Sequence, residues 1–120
     1  MGAGRVLVVE DDNELLSYYV RMLKRAGYIV IPAGRGAEAI GFQRAMTFDM
    51  VLCDYVLPDM EGAQLVERLR ARDPSLPILV VSAQAVPPEV QASCWCVQKP
   101  VPMNDLLVLV NAGVAERWAA

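Results

Sequence analysis

Five short apolar runs, at 5–9, 28–31, 50–53, 77–81 and 95–98, recur along this chain with helical periodicity between them. Each run is too short for a helix and rich in Val, Ile and Leu. None alternates with polar residues as a half-exposed strand does. Such runs suit strands covered on both faces, the condition of a parallel sheet. Strands that alternate with helices need crossover connections, which place helices on both sides of the sheet. The expected architecture is therefore a doubly wound α/β domain with five parallel strands.

The intervening segments support this reading. Leu15, Tyr19, Met22, Leu23 and Ala26 fall on one stripe of a first helix, with Asp12 placed to cap its start and Gly27 to end it. A weaker helix is expected from about Ala37 to Ala45, across the unfavourable Gly41. Tyr28 to Ile31 reads as a strand closed by Pro32-Ala33-Gly34. Leu65, Val66 and Leu69 mark a third helix stopped by Asp73-Pro74. The stretch from Gln84 to Ser93 contains Pro87-Pro88 and has room for only a turn or two of helix. A closing helix follows from Met103, carrying Leu106, Leu107, Val110 and Val114 on one face.

Composition narrows the function. A chain of 120 residues, 55% hydrophobic and 21% charged, suits one folded domain over 1–120. A net charge of −3 without a basic stripe argues against direct nucleic-acid binding. No apolar run approaches the roughly 18 residues of a membrane span. Residues 1–5 lack the apolar stretch of a secretory signal, so a cytoplasmic location is expected. Cys53, Cys94 and Cys96 form no disulfide framework, and without histidine they complete no zinc site. They are expected to be buried thiols in or near strands.

Ligands bind doubly wound sheets beyond the carboxyl ends of the strands, where the strand order reverses. The first run ends in Glu10-Asp11, the third in Asp54, the fourth in Ser82 and the fifth in Lys99. The second ends in nothing reactive. A strand order of 2-1-3-4-5 leaves the silent strand at an edge and brings three carboxylates together beside a hydroxyl and an ammonium. Crowded carboxylates repel one another unless a cation joins them, and hard oxygen ligands favour Mg²⁺. A carboxylate nucleophile with a divalent ion and a lysine suits phosphoryl transfer.

Over nearly its whole length the chain resembles the receiver domains of response regulators, which have the flavodoxin-like strand order. The matching motifs are Val8-Val9-Glu10-Asp11-Asp12, Asp54-Tyr55-Val56-Leu57-Pro58-Asp59-Met60-Glu61-Gly62, Val81-Ser82-Ala83 and Lys99-Pro100. The resemblance implies that Asp54 accepts a phosphoryl group from the histidine of a partner kinase or phosphotransfer protein. It makes Asp11 a direct Mg²⁺ ligand, Glu10 a ligand acting mainly through water, and the Val56 carbonyl a further ligand. Lys99 pairs with a phosphoryl oxygen and precedes a cis proline. Ser82 turns its hydroxyl onto the phosphoryl group, aided by the Ala83 amide.

Two features depart from the family pattern. Receivers usually carry an aromatic residue three positions before the lysine, where this chain has Cys96, with Trp95 expected on the opposite face. Seventeen positions separate Ser82 from Lys99, several fewer than usual, and the shortfall falls on the fourth helix. The departures therefore lie on a surface that receivers use for output and homodimerisation. They leave open a phosphorylation-independent interaction module as an alternative to the phosphorylated switch. A phosphohydrolase is disfavoured, because no second acid lies two positions beyond Asp54. An output domain or downstream partner is not specified by these residues.

Overall fold

The computed structural model describes residues 4–119. Five strands and five helices alternate: β1 (Arg5–Val9), α1 (Asn13–Arg25), β2 (Ile29–Ala33), α2 (Gly36–Ala45), β3 (Met50–Asp54), α3 (Gly62–Arg72), β4 (Ile78–Ser82), α4 (Pro88–Gln91), β5 (Trp95–Gln98) and α5 (Met103–Ala119). The strands form one parallel sheet in the order β2-β1-β3-β4-β5, as expected from their end residues.

Sheet position explains the apolar runs. The inner strands β1, β3 and β4 are buried along almost their whole length, whereas β2 and β5 at the edges are partly exposed. Alternate side chains feed two cores. Leu7, Val51, Ile78 and Val80 face α2, α3 and α4 with Ala39, Leu65, Leu69 and Val90. Val6, Val8, Leu52 and Leu79 face α1 and α5 with Tyr19, Leu23, Leu106 and Val110.

Several boundaries differ from expectation, among them β4, which runs Ile78–Ser82 and not 77–81, and the start of β2, at Ile29 and not Tyr28. β2 continues through Pro32 to Ala33 instead of stopping before the proline. Ile29 donates to the Gly4 carbonyl and the Ala33 carbonyl accepts from Glu10. By alternation the Pro32 nitrogen faces the open edge of the sheet, where a missing N–H costs no ladder bond. α2 begins one residue earlier than expected, at Gly36. The short fourth helix is as expected: α4 is a single turn opening at Pro88. Asp12 caps α1, accepting from the amides of Glu14 and Leu15 at 3.0 and 3.1 Å. Gly27, with φ of 100°, follows that helix in a conformation other residues rarely adopt.

Away from the carboxyl edge, Arg117 of α5 donates to both carboxylate oxygens of Asp73, to Ser75 Oγ and to the Phe48 carbonyl. The Arg117 bonds hold the Asp73 carboxyl below the usual range. A carboxyl depressed in the folded state adds stability that is complete above its unfolded pKa and lost as pH falls through its folded pKa. Asp73→Asn is therefore expected to cost about 2 kcal/mol at pH 7. Chemical denaturation across pH should show the difference from wild type shrinking below about pH 4. A gap that stays constant to pH 2 would exclude this origin.

Candidate functional site

β1 and β3 are neighbours, with Val9 level with Cys53, so the residues that follow them meet at one end of the sheet. There, single oxygens of Glu10, Asp11 and Asp54 lie within 4.8 Å of one another. Glu10 is buried, Asp54 half-buried and Asp11 exposed, so the cluster opens to solvent on one side. Lys99 reaches in from the end of β5. Its Nζ lies 2.9 Å from Glu10 Oε1 and 3.1 Å from Asp54 Oδ2.

This arrangement sets the local electrostatics. Burial raises the Glu10 carboxyl above its ordinary pKa and outweighs the bonds it accepts from Lys99 and the Asp12 amide. Burial pulls Lys99 down, but its bonds to Glu10 and Asp54 prevail and leave the ammonium more firmly protonated. One ammonium thus stands among three carboxylates. The set remains short of positive charge, the condition that favours a divalent cation.

The backbone holds these groups in place. The Lys99 amide donates to the Ser82 carbonyl at 2.7 Å, tying the ends of β4 and β5 together. The Lys99–Pro100 peptide is cis, as the resemblance implied. After Asp54 the chain turns at once: the Val56 amide donates to Asp54 Oδ1 at 3.2 Å, and Val56 bridges to Glu61. A Cβ at Gly62 would lie 2.6 Å from Tyr55 Cα, so the close approach of α3 to this loop requires glycine.

The expected site residues are placed unequally. Glu10, Asp11, Asp54 and Lys99 share the pocket. Val56 is linked to Asp54 through its backbone and is itself exposed. Ser82 is fully buried, and its Oγ accepts from the Gln84 amide at 3.1 Å, while Ala83 is exposed beside it. Tyr55 packs into the core on the α3 side. Trp95 and Cys96 lie on opposite faces as expected: Trp95 abuts Gly113 of α5, and Cys96 packs towards the α2–α4 core.

Asp59 was missed by the sequence reading. Its carboxylate accepts from the amides of Gly36 and Ala37, both at 2.9 Å, and so caps α2 from the loop that follows Asp54. Burial pushes the Asp59 carboxyl up, but these amides outweigh it and the net pKa is lowered. A signal did exist: α2 starts after Arg35, a residue that cannot cap, so the cap had to come from elsewhere. Asp59→Ala is expected to lower the thermal midpoint by a few degrees, and Asp59→Asn by less because an acceptor remains. Equal loss in both variants would show that the capping bonds carry no weight.

The family model for the response regulator receiver domain matches residues 6–111. The chain belongs to the response regulator receiver family. It is 33% identical over 108 residues to the response regulator receiver protein CpdR of Brucella abortus, covering 86% of this chain and 90% of that protein. It is 31% identical over 121 residues to the DNA-binding transcriptional regulator NtrC of a Bradyrhizobium strain, covering 97% of this chain. This receiver spans only 25% of that regulator's length, and likewise 34% of the Mycobacterium tuberculosis regulator TcrX. A CheY-like receiver domain protein from Methanospirillum hungatei superposes with a TM-score of 0.91 at 28% identity, over 98% of both chains. Receiver domains are signalling modules of two-component systems, and this family typically binds Mg²⁺. No described helix is long and apolar enough to cross a membrane.

Proposed function

We propose that this receiver takes a phosphoryl group onto Asp54 from the phosphohistidine of a kinase or phosphotransfer protein, and so switches its contacts with a downstream partner. The observation that carries this reading is the convergence of three carboxylates and one ammonium at the ends of β1, β3 and β5. Asp11, Asp54, the Val56 carbonyl and, through water, Glu10 would hold Mg²⁺. The ion would neutralise phosphoryl oxygens during transfer.

The remaining chemistry belongs to the chain. An Asp54 oxygen attacks phosphorus as the donor's P–N bond breaks, and the donor imidazole, already protonated on its other nitrogen, leaves as the neutral ring with the electron pair of that bond. Lys99 releases Asp54 Oδ2 and turns to a phosphoryl oxygen while staying on Glu10. The Ser82 hydroxyl accepts from Gln84, so its own proton is free for donation to the phosphoryl group. The Ala83 amide is a second donor. The domain accepts a phosphoryl group and slowly releases it; it does not turn over external substrates. A receiver over 1–120 with this chemistry serves equally in a regulator of CpdR length or ahead of an output domain.

Incubation with acetyl phosphate and Mg²⁺ tests the proposal. The expected result is one added phosphoryl group, mapped to Asp54 and lost when Mg²⁺ is chelated. No adduct at saturating donor would favour a phosphorylation-independent interaction module.

A further inference from the structure

Two thiols on the far side of β5 take no part in this chemistry. Cys94 immediately precedes β5 and Cys96 lies within it, and their sulfurs are 3.7 Å apart. Cys94 is buried and Cys96 half-buried. The single turn of α4 leaves space on either side of the pair. One cavity of about 230 Å³ is bordered by Cys94 and another of about 240 Å³ by Cys96, and Gln91 lines both.

We propose that Cys94 and Cys96 form a two-thiol binding site for a thiophilic trivalent centre of the arsenite or organoarsenical class. The geometry supplies the first argument. Two bonds of about 2.3 Å to one pyramidal trivalent centre, at an angle of roughly 95–105°, place their sulfurs about 3.4–3.6 Å apart. The observed separation of 3.7 Å is within a few tenths of an ångström of a chelating pair.

The ligand class follows from what surrounds the thiols. Structural zinc wants four ligands. Among the described residues, the only group of three or more acids or cysteines able to hold an ion is Glu10, Asp11 and Asp54, and the chain has no histidine. The occupant must therefore be satisfied by two protein sulfurs.

Proton balance points the same way. Burial and the neighbouring Cys94 push the Cys96 thiol up to about 12, so thiolate is scarce at neutral pH. Thiol–disulfide exchange, which needs the thiolate, is accordingly slow here. A trivalent arsenic oxide needs no net ionisation. Two As–S bonds form as the arsenic–oxygen bonding breaks, and both thiol protons leave with that oxygen as one water. Arsenic stays trivalent and no oxidant is consumed.

Phenylarsine oxide tests this on the folded protein, read by intact mass. One adduct per chain is expected, with the mass of one phenylarsine oxide less one water. Cys94→Ser and Cys96→Ser should each abolish it, and Cys53→Ala should retain it. A chelate should resist monothiol displacement on the order of 10²-fold better than a one-sulfur adduct and yield to a dithiol. In the unaltered protein, prior arsenite should protect Cys94 and Cys96 together from alkylation, so the test survives a variant that fails to fold. No adduct, release by monothiol, an adduct that persists without either cysteine, or labelling only in denaturant would each overturn the proposal. These readouts are independent of phosphorylation, so their failure leaves the reading of Asp54 untouched.

Discussion

Asp54→Asn is expected to remove acetyl-phosphate labelling completely, a loss of more than about 10³-fold, while the domain stays folded. The amide has the same shape, and its one oxygen can still accept from either the Val56 amide or Lys99, which bond to different oxygens of the carboxylate. It lacks the charged oxygen that attacks phosphorus. It also relieves repulsion in a cluster where three carboxylates face one ammonium. The thermal midpoint without Mg²⁺ should therefore move by only a few degrees. The Mg²⁺-induced rise should shrink, because one anionic ligand is gone. A tenfold weaker affinity removes about 1.4 kcal/mol of ligand-linked stability at high Mg²⁺. Undiminished labelling of Asp54→Asn would move the acceptor to Asp11 or Glu10 and sink the assignment.

The second large effect concerns stability at the same loop. Gly62→Ala would set a methyl group 2.6 Å from Tyr55 Cα and 3.0 Å from the carbonyl oxygens of Asp54 and Tyr55. All three are backbone atoms, so no side chain can swing away. Either α3 shifts or the turn after Asp54 opens, at an expected cost of roughly 2–4 kcal/mol. Gly41→Ala supplies the contrast. Gly41 lies within α2, and an added Cβ there meets nothing within 4 Å. Alanine should stabilise by roughly 0.5–1 kcal/mol, through the unfolded chain's lost freedom and better helix propensity. The two substitutions are chemically identical and should shift the urea midpoint in opposite directions. A shift of the same sign in both would mean that packing around Gly62 does not limit the turn.

Much of the fold was legible because its signals are local. The inner strands announced themselves as unbroken apolar runs, since they are buried on both faces. Asp12 and Gly27 marked the ends of α1 through chemistry within a few residues of those ends. β2 was misread at Pro32 because a proline is tolerated or forbidden according to which neighbour its nitrogen faces. That depends on sheet position, which local pattern does not encode. Asp59 was missed for a related reason: it caps a helix that begins 23 residues before it.

The candidate site divides in the same way. Strand-end residues and one plausible strand order brought Glu10, Asp11, Asp54 and Lys99 together on paper. The fold added that Glu10 is buried and bonded to Lys99, and that the Ser82 hydroxyl rests on Gln84. The cysteines show the limit most plainly. Two positions apart in sequence, they read as isolated buried thiols. Only the compact turn into β5 sets their sulfurs 3.7 Å apart.

The order of residues by itself determined the alternation of strand and helix and the chemical groups at each strand's end, because periodicity and end chemistry are written within a few residues. Tertiary structure alone decided which carboxylate is buried, which amides Asp59 caps, how closely α3 approaches the loop and how near two sulfurs lie. Those outcomes are distances between backbone segments far apart in the chain, and packing sets them.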